Sequence, residues 1–341
     1  MTRAAHAAGF RIERTTRAGR AGLVAAVLVL AALVTVPRWG DASTMRILVE
    51  FIALLVLAQM WNLLAGYAGL VSIGQQAYVG LGGYALLVLA DDLGVNPFAA
   101  VPLAGLVAAA LALPTAALVF RFQGGYFAVG TWAIAEVYRL LVANSSALGR
   151  GSGRTLKAVF PLARETRELT TYFLALAIGV AALVAVYAFL RSRWGLGLMA
   201  IRDSEPGSEA LGIDVFRTKL GVYLGVAFGT GMTGALIYLN LLRVSPDAAF
   251  SINWTAYPIF IVVIGGIGSL EGPLIGTALF FLTRELLADQ GAWYMILLGA
   301  LAVGAMLVYP RGLWGLVADR WDVRVFPVQR RVAWDRPARE P

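Results

Sequence analysis

Apolar positions in this chain run in long blocks separated by short polar stretches, not in one-sided helical stripes. The blocks are Ala21–Val36, Ile47–Leu64, Ala68–Ala90, Phe98–Phe120, Tyr126–Ala143, Leu169–Leu190, Leu220–Leu242, Trp254–Gly266, Pro273–Leu287 and Trp293–Tyr309. A helix facing water on one side needs a polar face, so segments apolar all round call for an apolar solvent. The cleaner blocks approach the ~20 residues that span a hydrocarbon core. In lipid the backbone must satisfy its own hydrogen bonds, so each block is predicted to be helical. The expected fold is an all-α polytopic membrane bundle of about 8–10 helices with Gly-rich broken or re-entrant segments. The bundle covers residues 21–310, between a basic tail (1–20) and a second tail (311–341). Ala21–Val36 with its basic lead has the look of a secretory signal. No small-x-small cleavage site precedes Pro37–Gly40, so it is read as an uncleaved first helix.

Composition agrees: 59% of residues are hydrophobic and 14% charged, against about 25% charged in soluble domains. The net charge of +8 is unevenly placed. The segments 1–20, Arg121, 191–219, Glu271 and 311–341 together carry +8, against +1 for 37–46, 91–96, 144–168, 243–253 and Asp289. Positive flanks face the cytoplasm, so both termini and the loop 191–219 are expected inside. The loop 144–168 is expected outside, where its Arg150, Arg154, Lys157, Arg164 and Arg167 break the rule. Cations at membrane flanks give no indication of nucleic-acid binding. There is no Cys and one His, His6 in the N-terminal tail, which removes thiolate chemistry and a His/Cys metal site. A phosphate-binding loop needs a Gly-Lys pair. The two lysines, Lys157 and Lys219, do not follow glycine. The chain is therefore expected to be no enzyme and to hold no cofactor; any ATP would be used by a partner.

Two membrane segments differ from the rest. Gly66–Tyr84 carries many glycines with Ser72, Gln75 and Gln76, and Ile264–Thr277 reads Ile-Gly-Gly-Ile-Gly-Ser-Leu-Glu-Gly-Pro-Leu-Ile-Gly-Thr. Paired Gly/Pro-broken segments in two halves of a chain point to a transport site built from discontinuous helices. The alternative is that glycines only let helices pack closely. Gly221, Gly225 and Gly229, and again Gly268, Gly272 and Gly276, have that packing spacing. Ionisable residues inside spans are few. Glu136 and Arg139 share a helix face and can pair, as a structural pair or as a substrate contact. Glu50 has no cation within its own block Ile47–Leu64, and Arg284 and Glu285 lie near a boundary. In 191–219 a short helix is expected: Asp203 or Ser204 as cap, Pro206 in the first turn, Gly212 as stop. Ala210, Leu211 and Ile213 would make apolar contacts, with Glu205 and Glu209 in water.

Trp61–Tyr84, Gly125–Arg139, Gly195–Gly212 and Val263–Gly276, in that order, resemble the motifs of Liv-type permeases of branched-chain amino acid ABC importers, and of the M-type rather than the H-type partner. The resemblance spans roughly residues 50–310. It implies a multi-pass protein of the bacterial inner membrane, paired with a second, H-type permease. Two cytoplasmic ATPases would dock beneath, and a periplasmic solute-binding protein would deliver cargo. It implies that Gly66–Tyr84 borders the translocation path; with the polar residues read from the spans, the candidate lining is Asn62, Ser72, Gln75, Gln76, Tyr78, Glu136 and Arg139. It also implies that Arg202, Asp203, Glu205, Glu209, Ala210, Leu211 and Gly212 form the coupling helix seated on an ATPase. Leu148–Leu156 departs from the Thr-Gly-Gly-containing loop of many members, and related permeases serve urea and short amides. The rival from the residues is an ion-gradient-driven secondary transporter, with Glu50 as its one carboxylate lacking a cationic neighbour.

Overall fold

The computed structural model describes residues 10–13, 17–286, 293–309, 311–321, 325–326 and 331–334. His6, Asp289 and much of the two expected tails lie outside these residues. Strand β1 (Phe10–Glu13) is followed by helices α1 (Arg17–Thr35), α2 (Ala42–Asn62), α3 (Gln75–Leu87), α4 (Pro97–Val119) and α5 (Gly125–Asn144). After strand β2 (Arg154–Thr155) come α6 (Arg164–Arg191), α7 (Arg193–Asp203), α8 (Glu205–Ala210) and α9 (Val215–Leu241). Strand β3 (Arg243–Val244), α10 (Pro246–Ala249), α11 (Asn253–Gly265), α12 (Glu271–Leu286), α13 (Trp293–Val308), α14 (Gly312–Trp321) and strand β4 (Arg331–Trp334) complete the order. Among the described residues, seven helical stretches are long and apolar enough to cross a membrane. The fold is an all-α polytopic membrane bundle. The other three predicted blocks are the shorter α3, α12 and α13.

Contacts sort the connections into two ends. At one end, here the far end, Arg154 pairs with Asp92 and Arg46 with Glu168, and β2 lies antiparallel to β3 with Arg154 opposite Val244. At the other, the near end, Arg202 reaches Gly66, and the amide of Phe326 donates to Glu271. β1 and β4 pair antiparallel, Phe10 opposite Trp334, so the described parts of the two tails meet. The far-end pairing accounts for the sign of 144–168. Asp91 accepts from the backbone amides of Lys157 and Ala158, and Asp92 accepts from Arg154 at 2.6 and 2.9 Å. The Arg154 hydrogen bonds hold the Asp92 carboxyl below the usual carboxylate range.

Helix α2 is the hub. In its most apolar window 78% of residues are buried, against 6% for α1, whose outward Leu23, Val24, Leu28 and Val29 suit lipid. Asp41 caps α2 by accepting from the Thr44 amide at 2.9 Å. On α4, Ala100, Ala104, Ala108, Ala112 and Ala116 recur every four residues, all fully buried. This stripe meets α9, where a side chain on Gly231 would overlap the Ala108 methyl. Small residues on one face let two backbones approach closely, which is a main source of helix association in lipid. The glycine spacing read from the sequence behaves unevenly. Gly229, Gly272 and Gly276 sit against neighbours, whereas Gly221 and Gly225 face open space.

Candidate functional site

Both unusual segments are breaks between helices. Helix α2 passes at Leu63–Tyr67 into a π-helical turn, leaves helix at Ala68, and α3 starts only at Gln75. The apolar block Ala68–Ala90 is thus a helix only in its second part. Glycine weakens a helix by about 1 kcal/mol relative to alanine, and Gly69 has φ +71°, which other residues adopt poorly. The freed backbone finds partners locally and across the bundle. Trp61 Nε1 donates to the Ser72 carbonyl at 2.9 Å, and the Gly74 amide to Ser72 Oγ at 3.1 Å. The Ile73 amide donates to Thr131 Oγ1 and the Gln76 amide to Thr255 Oγ1, both at 3.1 Å. The Thr255 hydroxyl in turn donates to Gln76 Oε1. Gln75 is 1% exposed, and neither atom of its amide has a hydrogen-bond partner among the described residues.

The second break runs from Gly266 to Leu270, with Gly266 at φ +133° and Gly268 at φ +75°. Ser269 Oγ accepts from the Gly272 amide at 3.0 Å, near the start of α12. This break is joined to the first. Asn62 Nδ2 donates to the Ser269 carbonyl and Asn62 Oδ1 accepts from the Gly268 amide, both at 2.8 Å. Gln59 Nε2 donates to the Leu270 carbonyl at 2.8 Å. A methyl on Gly66 would come within 2.6 Å of the Gly268 nitrogen, so the two backbones touch where only glycine fits. Asn62 and Gln59 are fully buried, so their amides substitute for water at backbone groups that a continuous helix would have satisfied itself.

The candidate residues therefore fall into separate places. Asn62, Ser72, Gln75 and Gln76 belong to the buried breaks. Tyr78 is also buried, on α3, and donates to the Tyr223 hydroxyl at 2.8 Å. Glu136 and Arg139 do pair, at 2.5 to 2.9 Å, but near the far end, where Arg139 also donates to an exposed Asp247 at 2.7 Å. They are not joined to the breaks. Glu50 has a cation after all: Arg284 donates to both its oxygens at 2.5 and 3.0 Å, a pair 234 residues apart in sequence. Gln59, Thr131 and Thr255 were not singled out by the sequence reading; their signal is a neutral polar side chain inside an apolar block.

The loop 191–219 holds two helices, not one. Ser192 caps α7 and Ser204 caps α8, accepting from the Gly207 amide at 3.2 Å. Gly212, at φ +79°, ends the motif. Glu205 forms an ion pair with Lys219 rather than facing water alone. Ala210 and Leu211 make no apolar core contact: both are exposed, Leu211 at 80%. Ser208 is the inward residue. Asp203 bonds the neighbouring Arg202, whose Nη1 donates to the Gly66 carbonyl at 2.9 Å.

Comparison with known proteins places this architecture. The family described as branched-chain amino acid transport system / permease component matches residues 43–306. The high-affinity branched-chain amino acid transport system permease protein LivM of Salmonella typhimurium is 27% identical over 324 residues, covering 80% of this chain and 76% of its own. LivM of Escherichia coli is 28% identical with the same coverage. A probable LivM of Methanocaldococcus jannaschii is 28% identical over 107 residues, 30% of this chain and 31% of its own. No solved structure matches significantly. A family match that takes in α2 through most of α13, and both interlocked breaks, makes this chain a member of the branched-chain amino acid transport permease family.

Proposed function

We propose that the chain is the M-type permease subunit of an ATP-driven importer for branched-chain amino acids in a bacterial inner membrane, with both termini in the cytoplasm. A second, H-type permease would complete the path. A periplasmic binding protein would deliver cargo at the far end, and two ATPases would dock at the near end. The observation that carries this reading is α8. It is a short, capped helix at the near end, followed directly by a leucine that is 80% exposed. An apolar side chain held in water beside exposed Glu209 and Ala210 suits a protein partner. The Gly66–Tyr84 break and its polar residues, Ser72, Gln75 and Gln76, would border the path. The chain itself would supply no catalysis and bind no cofactor; it would alternate between two states biased by nucleotide on its partners.

The ion-gradient reading loses its candidate. It required a carboxylate without a cationic neighbour, and Glu50 forms an ion pair with Arg284 across the fold.

Leu211→Asp tests the proposal. Leu211 makes little contact with its own chain, so the variant should reach the membrane in normal amount. Copurification of the ATPases and uptake of radiolabelled leucine should each fall at least tenfold. Uptake equal to wild type would remove the docking role.

A further inference from the structure

Arg202 precedes α8, yet it faces the bundle. Its Nη1 donates to the Gly66 carbonyl at 2.9 Å, across 136 residues. That carbonyl lies in the π-helical turn where α2 ends, and carbonyls at a helix end lose their intrahelical partner. A cation is also favoured there by the helix dipole. The guanidinium is closely met on the side of the breaks, while the side chain as a whole stays 39% exposed. A methyl on Gly69 would stand 3.2 Å from Arg202 Cγ, and one on Gly268 would stand 3.9 Å from Arg202 Nη1. Gly66 is itself wedged between Asn62 Oδ1 and the Gly268 amide. The end of α2, the Gly266–Leu270 break and the end of α7 thus meet at one point. Arg202 is bonded on its other side to Asp203, next to the Ser204 cap of α8.

We propose that Arg202 is the positioning residue that carries movement of α8 to the interlocked breaks, so that a displacement at the docking helix shifts Gly66, Asn62 and Gly268 together. This rests on the preceding reading of α8 as the ATPase dock, but gives Arg202 a different task from docking. Glu209, Ala210 and Leu211 would face the partner, whereas Arg202, though part-exposed, directs Nη1 to the Gly66 carbonyl.

The test uses the complete importer, reconstituted in proteoliposomes with its own ATPases, second permease and binding protein, and radiolabelled leucine as probe. In R202Q the ATPases should still copurify, while leucine moved per ATP hydrolysed falls at least tenfold. R202K, which keeps a cation able to reach the Gly66 carbonyl, should recover a substantial part of that ratio. A helix cap with only a structural role would lower the melting temperature and the yield but leave the ratio at the wild-type value; that result overturns the inference. Loss of ATPase copurification in R202Q overturns it too, by making Arg202 a docking residue. Should R202Q not assemble, hydrogen–deuterium exchange on the wild-type complex decides. Segments 62–70 and 266–270 should change protection together when a non-hydrolysable ATP analogue is added, and constant protection at both refutes the link. A wild-type chain that copurifies with no ATPase sinks the preceding reading itself, whereas a coupled wild type beside an equally coupled R202Q sinks this inference alone.

Discussion

Asn62→Ala cuts the join between the two breaks and gives the sharpest measure of what holds them. The asparagine is fully buried and makes two 2.8 Å bonds, one to the Gly268 amide and one to the Ser269 carbonyl. Removing its amide leaves both backbone groups unpartnered where water has little access. An unsatisfied buried group costs about 1–3 kcal/mol, while side-chain hydrogen bonds between membrane helices average about 0.6 kcal/mol because the unfolded state in the bilayer also finds partners. Two groups at the lower part of the first range give an expected loss of about 2–4 kcal/mol. Asn144→Ala is the control: its Nδ2 also donates to a carbonyl, that of Leu140, but in its own helix at an exposed position. That change should stay within about 0.5 kcal/mol, as surface substitutions usually do. Equilibrium unfolding in mixed micelles, followed by tryptophan fluorescence, reads both. Asn62→Ala within 0.5 kcal/mol of wild type would show that the breaks are held by something else.

Two further changes probe other joints. In Gly82→Ala the new methyl would overlap the Gly231 carbonyl and force α3 off α9, whereas in Gly221→Ala it meets open space. Overpacking costs about 1–3 kcal/mol and alanine gains up to about 1 kcal/mol over glycine in a helix, so unfolding should show opposite signs; equal effects refute the packing argument. At the far end, Asp92 has its pKa lowered by Arg154. The stability this pair adds is therefore complete above the unfolded carboxylate pKa of about 4 and lost as pH falls through the folded value. Both groups are part-exposed, so the effect is small. Arg154→Gln should flatten the decline of stability between pH 6 and 3, and an unchanged slope would exclude the pair as its source.

The bundle was legible because a helix satisfies its own backbone in lipid, and a continuous apolar block lacks the alternation of a barrel strand, so it means a helix. The breaks were legible for the converse reason: runs of glycine do not belong in such a helix, and Gly66–Tyr84 and Ile264–Thr277 both carry them, the first with the side-chain amides of Gln75 and Gln76 besides. Local caps read correctly as well, since Ser204 and Gly212 act within a few residues of themselves. What the sequence hid is pairing at long range. Glu50 looks unpartnered until Arg284 arrives beside it, and the basic loop 144–168 defies the charge rule until Asp91 and Asp92 are placed against it. Gln59, Thr131 and Thr255 are single polar residues whose value depends on which backbone groups face them, and no spacing encodes that.

That hidden pairing also explains why the two breaks occur as a pair. A lone break in a membrane helix leaves amides and carbonyls that lipid cannot solvate, at several kcal/mol each. Here part of what the second break leaves over is taken up beside the first: Asn62 and Gln59, at the end of α2, serve the amide of Gly268 and the carbonyls of Ser269 and Leu270. Gly66 and Gly268 keep the two backbones in contact. The second break cannot then move far from the end of α2 without leaving the Gly268 amide and the Ser269 and Leu270 carbonyls unpartnered. A protein whose task is to alternate between two states gains from such a joint, because interlocked elements switch together or not at all.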